Sequence, residues 1–490
     1  MNRIVFFVVL FFSLINAKEI KVDLDGAIRE ALENNGLNKI AKINLEIAQA
    51  QYEQAISANY PSLDAVLYAN RDKNDTIYQQ RGVFTLSSEL TKTLALANTL
   101  NIPAGAVRDA TQASIASTPT SSFPSGTLSA DIDTKARGRD TVRGSLEVHY
   151  PLYTGGKIEA LINQAKLNKE LARATITRAE NDVVYDVRKY FYGYILTNEL
   201  HKVVSKIYKN MKFSTDLAKG FLENSSNLKI NRTDYLNAKL TTSLIQSTLT
   251  KIELNRDLLK GAISNLIGLK WDDTIIIEYK ENEILNQNLP LQKLIENAYA
   301  LNPDITKVNL AVKIKDEQIN EANSAYYPQV GVFGNVSRTY NSYEYGYLNE
   351  DNRDSWSIGI AMKMSLFDGF RTTNKVLESK LDKKIIDEQK ILLEDAVALQ
   401  LKNEFLTSSL GYKQIQILKE AIETAAENSE MNLKGFEYEM VEAKDVVQSQ
   451  LLEAYVKADY LKYVHDYLVS LATIDKLVGK KVEEKILSDR

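Results

Sequence analysis

Two short stretches of the chain alternate between apolar and polar residues, which is typical of β-strands with one apolar and one polar face. In the first stretch the apolar side contains Val142, Gly144, Leu146, Val148, Tyr150 and Leu152. In the second it contains Trp356, Ile358, Ile360, Met362, Met364 and Leu366. Strands of about 10 residues with this pattern fit a transmembrane barrel that has lipid outside and water inside. A soluble sandwich strand shows the same alternation, so the pattern alone leaves both structures open.

A very long helix is predicted after each of these strands. No proline follows Gly155 until Pro290, and none follows Pro328. A helix from Gly155 to about Glu223 would be roughly 100 Å long, at 1.5 Å per residue. On the second long helix, apolar residues recur every seven positions at Ile385, Leu392, Leu399 and Leu406. This spacing predicts coiled-coil packing against a neighbouring helix.

The chain is an internal tandem repeat, because a shift of 267 residues superimposes its two helix-to-strand junctions. Eleven identities share this register. The first copy supplies Leu24, Ile28, Ala31, Asn35, Ile47, Gln51, Ala55, Ser57, Ala58, Tyr60 and Pro61. The shift falls to 214 at the strand-to-helix junctions and to 211 near the end of each copy, so the first copy carries a 53-residue excess. Proline disfavours helical structure in its predecessor, so each Tyr-Pro marks the change from helix to strand.

Each copy is predicted to contain a helix, two strands and a long helical hairpin. Repeat 1 spans 18–288, with a helix over 24–58, strands over about 62–70 and 141–153, and a hairpin over 155–268. Repeat 2 spans 289–480, with a helix over 291–325, strands over about 329–337 and 355–367, and a hairpin over 369–479. Residues 1–17 are predicted to be a signal peptide and 481–490 a short tail.

The 53-residue excess lies within residues 71–140, which are rich in Ser, Thr and Ala. A flexible loop between two strands is the expected structure of such a segment. A lid over the mouth of a pore, or a contact site for surface partners, is the alternative.

The composition indicates an exported protein without disulfides. Arg3 precedes an apolar run from Ile4 to Leu14, and Ala17 offers a cleavage site, which is typical of a secretory signal peptide. An uncleaved anchor is the alternative, although the run is shorter than the roughly 20 residues that span a bilayer. The chain has no cysteine, so it cannot be lipidated at an N-terminal Cys. Any membrane insertion of the mature chain is expected to use strands.

Neither nucleic-acid binding nor catalysis is predicted. The formal net charge is −4, and the basic residues are dispersed along the chain. The three histidines, His149, His201 and His465, lack the spacing of a metal site, and no phosphate loop or nucleophile motif is present. No enzyme activity, cofactor or metal is therefore expected.

In the order of its motifs the chain resembles the TolC family of bacterial outer-membrane channels. The resemblance rests on the tandem repeat, the Tyr-Pro junctions, LYTGG and LFDGF before the long helices, and RTDYLNAKL and KDVVQSQLLEA at the return helices. It implies a mainly α fold with β, in which four strands per protomer form a homotrimeric 12-stranded outer-membrane β-barrel. A long α-helical coiled-coil barrel would continue it into the periplasm.

The resemblance also implies a function and its partners. Family members are passive exit ducts for tripartite efflux pumps or type I secretion systems. They dock through their helical tips to a periplasmic adaptor (membrane fusion protein) and an inner-membrane transporter. The implied location is the outer membrane, with lipid around the barrel. The alternatives are a secreted structural or adhesive coiled coil with a small β head, and a free-standing porin, which has no use for such long helices.

The resemblance assigns a channel gate to the start of the return helices. Asp445 matches the family's acidic ring, Gln448 replaces its second carboxylate, and Asp234 matches the acid of the first hairpin. The usual Gly-Thr-Arg is replaced by Glu439, Met440 and Val441. Phe436 stands in the place of a tyrosine, and Lys444 or Arg232 is the candidate substitute for the arginine. The two aspartates also suit the first turn of any helix, through the helix dipole.

The adaptor-contact tips are expected at Asn227, Leu228 and Lys229 in the first hairpin and at Glu439, Met440 and Val441 in the second. Three Asp445 side chains would form a ring that favours cations through its summed charge.

Overall fold

The computed structural model describes residues 19–224, 232–270, 274–279, 290–438 and 440–479. The predicted signal peptide and the C-terminal tail lie outside these residues. The helices are α1 (Leu24–Asn34), α2 (Gly36–Ser57), α3 (Ser88–Asn98), α4 (Ala106–Ser117), α5 (Lys157–Asn224), α6 (Arg232–Leu266), α7 (Leu291–Leu301), α8 (Pro303–Asn323), α9 (Arg371–Glu437) and α10 (Ala443–Val478). The strands are β1 (Glu19–Val22), β2 (Ser62–Arg71), β3 (Thr76–Leu86), β4 (Gly126–Arg137), β5 (Asp140–Tyr153), β6 (Thr274–Ile277), β7 (Gln329–Asn341) and β8 (Asp354–Lys363).

The chain forms two compact units. A helical unit takes Met1–Ser57, Gly156–Ser324 and Phe367–Arg490, and a strand unit takes Ala58–Gly155 and Ala325–Leu366. In the helical unit α5 and α6 form one antiparallel hairpin and α9 and α10 form another, and α5 also packs against α2, α8 and α10. Among the described residues, none of the helices combines the length and the apolar character needed to cross a membrane.

The long helices follow their sequence signals closely. With 68 residues, α5 is about 100 Å long, and α9 has 67 residues. At the start of α9 the Asp368 carboxylate accepts hydrogen bonds from the backbone N–H and the hydroxyl of Thr372, at 3.0 and 2.6 Å. The carboxylate therefore satisfies a free backbone N–H at the start of α9 and fixes its first turn.

The helix expected over 24–58 is broken at Asn35, and the helix expected over 291–325 is broken at Asn302. Both asparagines adopt extended backbone angles. The Asn35 carboxamide oxygen accepts from the backbone N–H of Leu37 at 2.8 Å, and that of Asn302 accepts from Asp304 and Ile305 at 2.8 and 3.1 Å. Each asparagine thus caps the second of two helices, so the single-helix prediction is wrong in both copies.

The same two asparagines also bind the last turn of the second helix of each hairpin, which is called the return helix. The Asn35 amide donates to the Leu266 carbonyl at 3.2 Å, and the Asn302 amide donates to the Leu477 carbonyl at 2.8 Å. Two residues after these leucines, Gly268 and Gly479 adopt left-handed φ angles of 76° and 82°. A Cβ on Gly479 would lie 2.5 Å from the Leu301 carbonyl oxygen, so only glycine fits this helix end.

Each of these two asparagine contacts with a return helix, called an asparagine joint below, is surrounded by an apolar core. The core of the first copy also contains the parallel pair of β1 and β6, which the sequence patterns did not predict. The fully or nearly fully buried members of the two cores are Val22, Ala27, Ala31, Val183, Val187, Phe191, Ile263, Ile267 and Ile275 in the first, and Leu294, Ala298, Ile305, Leu401, Ile474 and Val478 in the second. The two largest apolar clusters among the described residues of the helical unit thus lie near the ends of the return helices.

The strand unit contains a four-stranded antiparallel sheet in the order β2-β5-β7-β8. The register aligns the alternating residues into rows across all four strands. Ala65, Leu146, Val336 and Trp356 form a row on one face, whereas Asp64, Glu147, Asn335 and Ser357 form a row on the other. On the polar face Asn335 donates to the Glu147 carboxylate at 3.3 Å. The sheet is therefore two-faced, as the alternation predicted, although β8 ends at Lys363 rather than at residue 367.

Residues 71–140 are folded, so the expectation of a flexible loop is wrong. They contain the antiparallel pair β3–β4 and, between these strands, the helices α3 and α4. At the base of the pair Lys135 contacts Asp75 at 2.6 Å and Arg137 contacts Asp72 at 2.9 Å. The Thr and Ser residues of this segment lie in paired strands and in helix caps. The Ser87 hydroxyl oxygen, for example, accepts a hydrogen bond from the backbone N–H of Leu90 at the start of α3.

Candidate functional site at the hairpin tips

The two long hairpins place their turns at the candidate gate. The first turn includes Asn227, Leu228 and Lys229, which lie outside the described residues, as does Glu439 in the second turn. The described part of the second turn runs through Tyr438, Met440 and Val441 to Glu442.

The second turn is tight, and a glycine makes it possible. The backbone N–H of Met440 donates to the Gly435 carbonyl at 2.8 Å. A Cβ on Gly435 would lie 2.6 Å from a Val441 methyl group, so the absence of a side chain lets Val441 pack on α9. Met440 points away and is 81% exposed. Of the two described tip residues, Met440 thus exposes an apolar side chain, and Val441 packs within the turn.

An apolar cluster joins the second tip to the first hairpin. Phe436 and Val446 are buried among Leu217, Phe221 and Leu433. The rings of Phe221 and Phe436 meet edge to face, with centroids 6.1 Å apart. Phe436, which replaces the family's tyrosine, therefore contributes apolar packing and holds α9 close to α5.

The predicted gate residues occupy the first turns of the two return helices. Asp234 lies near the start of α6 and Asp445 near the start of α10, and both are half-buried. Asp234 and Gln448 line a shared cavity of about 270 Å³. Its other lining residues are Asn237, Ala238, Lys444, Val447 and Leu451. The structure thus brings Asp234 and Gln448 together, whereas Asp445 lies outside this lining.

Lys444 is a cation close enough to both acids of the candidate gate to feel their charges. Its ammonium contacts the Glu442 carboxylate at 2.7 Å. The hydrogen bond and charge of Glu442 raise the pKa of Lys444, and the charges of Asp445 and Asp234 raise it further. The exposed ammonium is therefore firmly protonated and offsets the two acids. Of the two candidate substitutes for the missing arginine, Lys444 lines the cavity that Asp234 and Gln448 share, whereas Arg232 is not among its lining residues.

The sequence patterns did not single out a buried polar stripe on α10. Ser449, Gln450 and Glu453 are all almost completely buried directly after the tip. The Glu453 carboxylate contacts Lys457 at 2.6 Å and Lys206 of α5 at 3.9 Å. The residue types alone do not distinguish these three residues from the exposed Gln448. Their burial depends on the packing of α10 against α5. A helical wheel phased on Val446 would have placed Gln450 and Glu453 on the same side.

The described ranges contain no group of three His, Cys, Asp or Glu side chains that could hold a metal ion. Two of the histidines instead pair with carboxylates, His201 with Glu253 at 3.2 Å and His465 with Asp466 at 2.9 Å. These pairs link neighbouring side chains on the helices.

Comparison with known proteins gives a consistent result. The family model described as outer membrane efflux protein matches residues 92–268 and 294–480, which correspond to the two repeats. The chain is 21% identical over 357 residues to the cobalt-zinc-cadmium resistance protein CzcC of Cupriavidus metallidurans, covering 70% of this chain and 78% of that protein.

Solved structures share the fold at low sequence identity. The structure of CusC matches with a TM-score of 0.70 at 12% identity and covers 94% of each chain. A membrane protein from Pseudomonas aeruginosa matches with a TM-score of 0.69 at 14% identity and covers 93% of each chain. The fold described above is therefore shared over nearly the whole length of these proteins.

Proposed function

Because this chain belongs to the outer membrane efflux protein family and is thus an outer-membrane efflux channel rather than an enzyme, we propose that it is the exit duct of a tripartite pump or type I secretion system. It conducts substrates passively from an inner-membrane transporter and its periplasmic adaptor to the cell exterior. The observation that carries this proposal is the match of both repeats to the family, each with a hairpin about 100 Å long.

The sheet supports assembly into a trimer. Its edge strands, β2 and β8, each have one partner within the described chain, and an open sheet edge is not tolerated in lipid. Three copies of four strands would close a barrel of 12. The apolar row through Leu146 and Trp356 would then face lipid, and the polar row through Glu147 and Asn335 would face the water-filled interior.

The second long helix also supports a trimer. Ile385, Leu392, Leu399 and Leu406 are all exposed in the single chain, Leu399 at 70%. Leu401, two positions further along, is fully buried inside the chain. A helix with apolar residues on opposite sides needs a second packing partner, which a neighbouring protomer supplies.

The tips serve as the gate and as the adaptor contact in this proposal. Three Asp445 carboxylates, offset in part by Lys444, would ring the closed end and favour cations. Asp234 and Gln448 would line the cavity between the two hairpins. The size of this cavity would change with the spacing of the hairpins. Met440, Val441 and Glu439, together with Asn227, Leu228 and Lys229, would meet the periplasmic adaptor.

The name of the relative CzcC suggests the first substrates to test. That protein is named for resistance to cobalt, zinc and cadmium. A cation-favouring tip in this chain would suit divalent metal cations. Divalent metal cations are therefore the substrate class that we propose for this duct.

The experiment is single-channel recording of the purified protein in a planar bilayer, with Asp445→Ala beside it. The wild type is expected to show small openings that prefer cations, and Asp445→Ala is expected to lose that preference. Asp459→Ala, on the same helix and also half-buried, is the matched control and should behave as the wild type. Unchanged ion preference in Asp445→Ala would contradict the gate role, and a wild type without openings would contradict the duct.

A further inference from the structure

The buried face of α10 changes its chemistry between its two ends. Towards the C-terminal end it is largely apolar, with Ile474, Leu477 and Val478 in the second core. In the tip half, after Val446, the buried residues of this face are polar, at Ser449, Gln450 and Glu453. The two halves of one helix therefore bury different kinds of side chain.

The C-terminal half of α10 is also fixed to α5 by charges. Arg188 contacts Asp475 at 2.6 Å in a largely buried ion pair, and Lys476 contacts Asp182 at 2.8 Å. Lys476 additionally lies over the ring of Tyr185, 4.7 Å from its centroid. Separation of α10 from α5 at this end would break apolar packing and leave paired charges without partners.

Gln450 lies in the tip half and is completely buried. Neither its amide oxygen nor its amide nitrogen has a hydrogen-bond partner among the described residues. On the neighbouring positions of α10, Val446 packs with Phe436, and Val447 and Ala454 pack against the cluster of Ile207, Met211 and Ile245. A buried carboxamide without hydrogen-bond partners therefore lies between positions of α10 that pack in apolar clusters, an arrangement that protein interiors normally avoid.

Glu453, one turn further along α10, adds to this polar layer. Its side chain is 5% exposed, and its charge is matched by Lys457 on the same helix and by Lys206 on α5. Of these contacts only the one to Lys206 crosses between the helices, and its distance is 3.9 Å. Lys206 is itself mostly exposed, so both charges would be readily hydrated if α10 moved away from α5.

We propose that Gln450 sets the equilibrium between the closed and the open gate. It destabilises the closed arrangement, in which the tip half of α10 packs on α5, relative to an open one in which the tip half has moved away. In the separated arrangement water hydrates the amide, whereas in the packed one it lacks partners. The packed C-terminal half acts as the fixed end of this movement. This inference rests on the proposed function, because it concerns the gate of that same duct.

Apolar and charged substitutions of Gln450 test the inference in opposite directions. Gln450→Met keeps the size of the side chain and removes the unpaired amide, so the closed arrangement should be favoured and the open probability in planar bilayers should fall about tenfold. Gln450→Glu places a second carboxylate beside Glu453, so the open probability should rise. The apolar variant should also unfold at a higher temperature than the wild type.

The matched control is Thr473→Val, which removes a largely buried hydroxyl from the fixed half of the same helix. Its open probability should equal that of the wild type. If the wild type conducts and Gln450→Met has the same open probability, the role of Gln450 is wrong while the duct stands. A higher unfolding temperature without a change in open probability would reduce Gln450 to a structural residue. If the wild type does not conduct, the duct itself is wrong.

Discussion

At the residue scale, Asn35 and Asn302 are equivalent residues of the two repeats and make equivalent contacts. Each lies between two helices, caps the second and donates to the last turn of a return helix. The tandem alignment identified the two asparagines as equivalent, but their role depends on the approach of Leu266 and Leu477, which are distant in sequence. The local helix break was predictable, because Asn302-Pro303 is a typical cap followed by proline at the first helical position.

Asn302→Ala is expected to destabilise the helical unit by about 2 kcal/mol, from the lost cap and the lost bond to a buried carbonyl. Asn302→Ser keeps an oxygen that can cap α8 but cannot reach Leu477, so its loss should be smaller. The measurement is urea unfolding of the detergent-solubilised protein. Equal stability of Asn302→Ala and the wild type would show that neither bond contributes.

The candidate site was predictable only in part at this scale. Asp234 and Asp445 were identified from motifs, and the structure confirms that both lie in first turns of return helices. The shared cavity of Asp234 and Gln448 depends on the spacing of α6 and α10, which no local pattern specifies. Gln450 was missed because its burial and its missing partners exist only once the helices pack.

At the element scale, long elements were predicted well and their interruptions were not. Proline-free runs and alternation are signals summed over many residues, so α5, α9 and the four strands of the main sheet were recognisable. A helix break depends on one residue, and the fold of residues 71–140 depends on pairing between β3 and β4, 40 or more residues apart. Such non-local contacts leave no periodic signal in the sequence.

The contact of α5 with α10 contains a carboxyl group whose charge is unfavourable. Burial raises the pKa of Asp186, and Asp182 raises it further, against the opposing effects of Lys476 and Lys189. The folded state therefore binds this proton more tightly than the unfolded state does. Stability falls as the pH rises from the ordinary carboxyl range through the raised pKa.

Asp186→Asn is therefore expected to raise the unfolding temperature at pH 7, with the gain disappearing as the pH falls below the ordinary carboxyl range. Asp182→Asn is the control, because Asp182 pairs with Lys476 at 2.8 Å and its loss should lower the unfolding temperature at pH 7. Thermal unfolding monitored by circular dichroism from pH 7 down to about pH 3, below the ordinary pKa of an Asp carboxyl, gives the comparison. A pH-independent effect of Asp186→Asn would contradict the role of its charge.

At the scale of the whole molecule, the exposed apolar side of α9 predicts how protomers associate. Leu392→Glu and Leu399→Glu place a carboxylate where a neighbouring helix is expected. Because both leucines are exposed in the protomer, its own fold should be retained while the trimer dissociates. Mass measurement in detergent distinguishes trimer from monomer.

Gln400→Glu adds the same charge one position away on an exposed, polar part of α9 and should leave the trimer intact. Trimers that persist in both leucine variants would place the interface elsewhere. Monomers that have also lost their helical circular dichroism would point instead to damage within the protomer.

The two asparagine joints also have a mechanical consequence. They connect residues 231 and 175 positions apart, and each ties a helix break to the last turn of a return helix, beside the middle of the long helix in that repeat. We therefore expect tension applied at a tip by a moving partner to be shared by both helices of the hairpin between the tip and the joint. Movement of the tips would then bend the hairpins on the tip side of the joints, whereas the parts of the chain beyond the joints would carry less of the load.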